Sequence, residues 1–259
     1  MRFFNRRIHK AVSELDTVEI SEQNGVRYLH LGNDTVQSAM RISAPNALEL
    51  RYTQAMMGFL LLTPSPPQQV LLVGLGGGSL AKFIYHQFAD TRISVAEINA
   101  KVIHAAHQFF QVPAADERLH IATADATEFI LHQTEQDCIL LDGFDAGCQV
   151  SSLATESFYT DCKHALSSTG VLSVNLWASD PQFAIYQQRL ANAFEQQVIY
   201  LPVEARGNVI AFAFASPPRY QTLRTLEQRA QQLQIQLGLP YPDFLARIRQ
   251  TADNTKLIP

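Results

Sequence analysis

The run Val70-Leu71-Leu72-Val73-Gly74-Leu75-Gly76-Gly77-Gly78-Ser79 constrains the fold of this chain more than any other stretch. Four consecutive apolar residues make a short strand buried on both faces. They lead into four glycines within five positions, and the run Leu80 to Phe88 then carries a helical pattern. Glycines admit positive φ and let backbone approach a ligand, while a helix start offers N–H groups with no partner inside the helix. Such a turn at the carboxyl end of a first strand holds part of a nucleotide or nucleoside. The spacing narrows the ligand. G-x-G-G-G lacks the sixth-position glycine of a dinucleotide fingerprint, because Ser79 stands there, and it lacks the Gly-Lys-Ser/Thr of a P-loop. Neither a dinucleotide nor a nucleoside triphosphate is expected.

Acids at the following strand ends refine this. Glu97 closes the apolar run Ile93-Ser94-Val95-Ala96-Glu97 about twenty residues after the turn, the spacing at which a carboxylate accepts from both ribose hydroxyls. Asp125 follows the strand-like Leu119 to Ala122, and Asp142 ends Cys138-Ile139-Leu140-Leu141. Any one of these acids alone reads as a helix cap or a solvated loop residue. At successive strand ends they match the layout that binds a nucleoside of the S-adenosylmethionine type.

From Val70 onward, strands alternate with helices. The strands fall at Val70–Val73, Ile93–Glu97, Leu119–Ala122, Cys138–Asp142, Val171–Leu176, Val198–Leu201 and Val209–Ala215. The helices fall at Ser79–Phe88, Ala100–Phe109, Thr127–Leu131, Thr155–Leu166 and Pro181–Phe194. This pattern predicts α/β: a mostly parallel sheet covered on both faces, its last two strands a hairpin that makes one edge antiparallel. The first sixty-odd residues differ. Short apolar runs broken by Asn24-Gly25 and Gly32-Asn33-Asp34 form a small antiparallel β unit. A helix from about Ala47 to Leu61 follows, and Thr63-Pro64-Ser65-Pro66-Pro67 is a stiff boundary. The division is residues 1–62 for the small β unit with its connecting helix and 63–259 for the nucleoside-binding domain. The Gln- and Leu-rich tail from Tyr220 to Ile248 reads as one or two surface helices.

Composition excludes several classes. A formal charge of -4 gives no global basic field for nucleic acid. The basic cluster Arg2, Arg6, Arg7 and Lys10 reads as a solvated tail. The longest apolar candidate, Met56 to Leu62, is too short to span a membrane, and no signal peptide is visible, so a cytoplasmic protein is expected. Cys138, Cys148 and Cys162 lack Cys-x-x-Cys spacing, and His104 with His107 find no third ligand nearby, so no metal is expected.

Asp142-Gly143-Phe144-Asp145 carries the chemistry. Two carboxylates at a cleft rim suit an amine acceptor, one taking its proton and the other holding a second ammonium, against an already activated sulfonium. At this point the chain resembles the polyamine aminopropyltransferase family, spermidine synthase and its relatives, over nearly its whole length. The resemblance rests on Val70–Ser79, Val95-Ala96-Glu97-Ile98, Ala124-Asp125-Ala126, Leu141 to Asp145, Thr155-Glu156-Ser157-Phe158-Tyr159 and Gly170-Val171-Leu172. It implies that Glu97 holds the ribose, Asp125 the adenine amino group and Asp142 the attacking amine's proton. It implies too that Asp145 positions the amine, with Gln37, Tyr52 and Glu204 further substrate contacts, and that the sheet is of the methyltransferase-type, Rossmann-like kind with a small N-terminal antiparallel β unit.

Departures from the family pattern are concentrated in the amine half. Gly77 replaces the acid of Gly-Gly-Gly-Asp-Gly-Gly that binds the amino end of decarboxylated S-adenosylmethionine, and Gly77→Asp is expected to restore preference for that nucleoside if the turn accepts a side chain. Tyr52-Thr53-Gln54 stands for Tyr-His-Glu, and Glu204 for a pocket Tyr. The nucleoside half is kept, and the turn of Gly74, Gly76, Gly77 and Gly78 is expected to bind the nucleoside with Glu97 and Asp125. The resemblance implies an aminopropyl transfer to an amine, with decarboxylated S-adenosylmethionine or S-adenosylmethionine as co-substrate and no permanently bound cofactor. The alternatives are a methyltransferase of unknown substrate and a non-catalytic nucleoside-binding homologue. The expected partners are a small-molecule nucleoside and an amine, without nucleic acid or membrane, and the chain is a candidate homodimer.

Overall fold

The computed structural model of the chain describes residues 6–12, 17–33, 35–145, 148–204, 207–218 and 222–254, leaving aside the side chains of Arg6, Phe144, Asp145, Cys148 and Gln149. Four antiparallel strands come first: β1 Arg6–Val12, β2 Thr17–Gln23, β3 Val26–Leu31 and β4 Val36–Arg41, paired in that order. Asn24 and Gly25 join β2 to β3 with φ of 52° and 74°, the left-handed pair that a two-residue hairpin turn needs. Two short helices, α1 Arg51–Met56 and α2 Phe59–Leu62, lead to the second sheet.

That sheet alternates strictly at first. β5 Gln69–Val73, α3 Ser79–Gln87, β6 Arg92–Glu97, α4 Ala100–Phe110, β7 Leu119–Thr123, α5 Ala126–Phe129 and β8 Gln136–Leu141 follow in turn. A two-residue pairing of β9 Phe144–Asp145 with β10 Cys148–Gln149 and helix α6 Glu156–Ala165 precede β11 Leu166–Trp177. Then come α7 Phe183–Ala193, β12 Val198–Pro202, β13 Asn208–Phe214, α8 Leu223–Leu237 and α9 Tyr241–Gln250. The strand order is β12-β13-β11-β8-β5-β6-β7. β11, β8, β5, β6 and β7 run parallel, and β13 is antiparallel to both of its neighbours. The expected α/β architecture, mostly parallel with one antiparallel edge, is the one observed.

Strand periodicity sorts the core into two layers. Val70, Leu72, Cys138, Val171 and Phe212 face one side, packed with residues of α1, α2, α3, α8 and α9. Leu71, Val73, Ile139, Leu172 and Val174 face the other, against α6 and α7. A third cluster joins the two sheets. Val18, Ile20, Leu29 and Met40 pack on Val102, Ala105 and Phe110 of α4, which brings β4 beside the glycine turn.

Four expectations change. The basic N-terminal run is a strand, because Arg7 and Lys10 both pair with Glu19 across β1 and β2; Arg2 lies outside the described residues. The single helix expected over 47–61 begins only at Arg51 and breaks at Met57-Gly58. A Cβ at Gly58 would lie 2.8 Å from the Ala55 carbonyl and 2.9 Å from Phe212, so the glycine admits the sheet to the helix. The helix expected over Thr127–Leu131 is α5 followed by a 3₁₀ turn at Ile130–His132. The tail does not lie on the surface alone: Tyr241, Phe244, Leu245 and Ile248 are buried, and Tyr241 donates to the Met57 carbonyl at 3.1 Å. Cys138 and Cys162 are buried; the Cys148 side chain is among those left aside.

Candidate active site

The site gathers at the carboxyl ends of β5, β6, β7 and β8. Backbone bonds lock those ends together: Gly74 N–H to Ala96, Ala124 N–H to Glu97 and Asp142 N–H to Val73, at 2.9, 3.1 and 3.0 Å. Gly74 has φ +89°, and a Cβ there would lie 2.5 Å from the Asp142 carbonyl oxygen. Only glycine fits that approach.

Glu97 is buried, with its carboxylate accepting from Leu75 N–H and Asn99 N–H at 2.9 Å each. Burial raises its pKa, and the backbone donors offset part of that shift. Glu97 thus braces the glycine turn while lining a cavity of about 250 Å³ with Gly74, Leu75, Gly76, Asp125 and Asp142. Ile98, Val102 and Leu153 add apolar surface of the kind that takes the faces of a flat ring. Asp125 caps α5: one of its oxygens accepts from Thr127 N–H at 2.8 Å and from Thr127 Oγ1 at 2.7 Å. The cap is made while Asp125 still borders the cavity.

Gly77 and Gly78 do not line that cavity. Gly77 is packed under the turn, and a Cβ there would lie 2.6 Å from Ser38 Oγ and 2.9 Å from a Phe110 ring carbon. Gly78, at φ +67°, abuts Val112. The condition attached to Gly77→Asp in the sequence reading, a turn with room for a side chain, is not met, because Ser38 of β4 and Phe110 of α4 occupy the space.

Asp142 sits at the boundary with a second cavity of about 450 Å³, which also contains Gln37, Tyr52 and Glu204. Gln37 and Asp142 line both cavities. The Tyr52 hydroxyl lies 3.1 Å from Asp142 Oδ2 and 3.2 Å from the Gln37 carbonyl. Burial and the neighbouring Asp142 charge lift the Tyr52 pKa well above its ordinary value, so the phenol stays a donor. Desolvation raises the Asp142 pKa, with bonds from Asn175 and Tyr52 working against it. Glu204 is exposed at the second cavity's rim. The backbone of Asp145 pairs with Cys148 just beyond Asp142, but its side chain lies outside what the structure describes.

Sequence reasoning missed Asn175, Asn208, Trp177 and Glu49 in this second cavity. A signal existed for the first: Asn175 interrupts the apolar run Val171-Leu172-Ser173-Val174-Asn175-Leu176, and buried polar groups need partners. Trp177, the only tryptophan, follows two residues later on the same strand face. The carboxylates of Glu49, Asp142 and Glu204 line the cavity with the single guanidinium of Arg51, and Arg41 grips Glu49 through bonds of 2.5 and 3.1 Å. With Arg41 and Arg51 set against two of the three carboxylates, one negative charge is left over in the formal count. Among the described residues, no three His, Cys, Asp or Glu side chains group to hold a metal ion, and no helix is long and apolar enough to cross a membrane.

Comparison with known proteins decides the family. The sequence profile of the spermine/spermidine synthase domain matches residues 49–218. This chain belongs to that family. A polyamine aminopropyltransferase of Chromobacterium violaceum is 41% identical over 98% of both chains. One from Neisseria meningitidis serogroup B is 40% identical over 96% of this chain and 95% of its own. Among solved structures, a spermidine synthase in complex with the transition state analogue AdoDATO superposes with a TM-score of 0.66 at 21% identity, covering 90% of this chain and 89% of that one. Human methyltransferase-like protein 13 in complex with SAH superposes at 0.65 with 26% identity, covering 73% and 93%. The spermidine synthase likeness carries the fold, and the sequence relatives carry the family.

Proposed function

We propose that the chain is an aminopropyltransferase of polyamine synthesis, in which Asp142 is the base. The observation that carries this is one carboxylate held in common by two cavities, one bordered by the glycine turn and one left with a formal negative charge. Decarboxylated S-adenosylmethionine occupies the first, its ribose on Glu97 and its base near Asp125, Ile98 and Leu153. The acceptor amine occupies the second, among Tyr52, Trp177, Asp142 and Glu204, with Asp145 nearby. The amine nitrogen attacks the propyl carbon next to sulfur. The C–S electrons return to sulfur, methylthioadenosine leaves as a neutral thioether, and the amine proton passes to Asp142. Placing both substrates against one carboxylate makes the displacement effectively intramolecular.

A second reading, methyl transfer from S-adenosylmethionine, is favoured by one observation: no acid stands at Gly77 to select the decarboxylated donor. An assay supplying putrescine and related diamines with either donor separates the two. Release of methylthioadenosine supports the first reading and release of S-adenosylhomocysteine the second. Asp142→Asn should lower turnover by roughly 10²–10⁴-fold while nucleoside affinity survives, and equal turnover in mutant and wild type rules the base out. Cytoplasmic residence and a homodimer belong to the same proposal, tested by fractionation and by sizing.

A further inference from the structure

Asp142 is the end of a buried polar chain whose direction is fixed. β11 and β8 are parallel with Val174 opposite Leu141, so the residues that follow each, Asn175 and Asp142, are neighbours across the ladder. Asn175 Nδ2 donates to Asp142 Oδ1 at 2.9 Å. β13 runs antiparallel with Asn208 opposite Trp177, which puts Asn208 diagonal to Asn175 on the same sheet face. Asn208 Nδ2 donates to Asn175 Oδ1 at 2.9 Å. Asn175 is only 2% exposed, so its amide depends on these side-chain partners.

An amide has one accepting and one donating end, and an ionised carboxylate only accepts. With Asn208 donating into the Asn175 oxygen, the Asn175 NH₂ group must point at Asp142. Tyr52 donates to the other oxygen from the opposite side, at 3.1 Å. The single Tyr52 proton has the Gln37 carbonyl at 3.2 Å as an alternative acceptor, so Asn175 is the donor whose direction is fixed, and the two donors come from elements that do not share a strand.

We propose that Asn208 and Asn175 form a positioning relay that locks the Asn175 amide in one orientation and thereby holds the Asp142 carboxylate ionised and aimed at the junction of the two cavities. Neither asparagine is a catalytic residue here: they act through Asp142. The relay rests on the reading of Asp142 as the base, but its structural half can be tested without turnover. The other ionisable groups bordering Asp142 through its two cavities are Glu49, Arg51, Tyr52 and Glu204 on one side and Glu97 and Asp125 on the other. None of these is altered in the variants below.

Protonation of Asp142 is followed directly, as the carboxyl infrared band present in each protein and lost on adding Asp142→Asn. The proteins are wild type, Asn175→Leu, Asn208→Ala and Asn208→Ser, each also assayed for kcat and KM against pH. Losing the Asn175 donor should move the Asp142 midpoint and the acidic limb of kcat together to higher pH, and lower kcat by roughly 10-fold or more with nucleoside KM unchanged. Asn208→Ala frees the amide to flip and should move both the same way by less, and Asn208→Ser, which keeps a hydroxyl donor, should move them back. Because residue 208 does not touch Asp142, a merely structural role would lower the melting temperature of Asn208→Ala and leave the midpoint in place. That result overturns the proposal, as does an unmoved midpoint in Asn175→Leu; if Asn175→Leu does not fold, the Asn208 pair decides. Midpoints that shift as described in a wild type that turns over no amine keep the relay and sink the functional reading.

Discussion

The Tyr52 hydroxyl, on the helix that leaves the small sheet, lies 3.1 Å from Asp142 Oδ2 at the end of a strand of the large one. A bond between residues ninety positions apart is a tertiary product, and it joins the wall of the second cavity to Asp142. Tyr52→Phe keeps the ring and deletes the donor. A hydrogen bond to a charged group is worth roughly 1.5–3 kcal/mol, and about 1.4 kcal/mol is tenfold in rate, so kcat should fall about 10–100-fold. Titration calorimetry should show unchanged affinity for methylthioadenosine. A Phe variant with wild-type kcat would mean the hydroxyl does not serve the acid.

Glu97 supports the turn as well as the ligand cavity. In Glu97→Ala, the N–H groups of Leu75 and Asn99 lose their acceptor in a buried place, a cost of roughly 1–3 kcal/mol for each group left unpaired. The melting temperature should therefore drop in the ligand-free protein, and methylthioadenosine affinity should fall at least tenfold. Loss of affinity with no change in melting would show that the brace is dispensable.

Gly77→Asp should not create preference for a decarboxylated donor. The new Cβ meets Ser38 and Phe110, and overpacking of this kind costs roughly 1–3 kcal/mol. Thermal unfolding should report that loss. Combining it with Ser38→Gly removes the nearer obstacle and should recover part of the stability. A stable single variant that gained donor selectivity would contradict the packing described.

Lys82 is 1% exposed, and its ammonium donates to the carbonyls of Pro45 and Phe110 at 2.8 and 2.6 Å, joining α3 to the link after β4 and to the end of α4. These acceptors are neutral, and burial lowers the Lys82 pKa from 10.5 to about 8. Between those values the unfolded chain holds a proton that the folded chain has released. Lys82 therefore adds stability as pH rises from about 8 towards 10.5, and none of that gain is present below pH 8. Lys82→Met should lack this upward slope in unfolding free energy. Parallel pH curves for the two proteins would refute the assignment.

The strand ends that carry Gly74, Glu97 and Asp125 were legible in the sequence because each strand and its following turn are local. Periodicity and glycine spacing place Gly74, Gly76, Glu97 and Asp125 without knowledge of what packs where. Tyr52, Gln37 and Glu204 come from three separate segments, and only the docking of the two sheets brings them to one cavity with Asp142. The strand at Arg6–Val12 was invisible for a related reason: its charges are neutralised by Glu19 on the next strand, which the run itself does not contain. Gly77 misled because a glycine in such a turn reads as room for a ligand, whereas here the room is filled by Ser38 and Phe110.

Gly74 carries a different lesson. Its missing side chain is what allows the end of β5 to rest against the Asp142 carbonyl, 2.5 Å from where a methyl would stand. The residue acts as a shim of zero thickness between the glycine turn and the strand end that bears Asp142. Any larger residue would pry those two ends apart and carry the carboxylate off its axis with Tyr52 and Asn175. The demand for glycine at this position is thus set by the alignment of Asp142 with its own partners, whatever the turn goes on to hold.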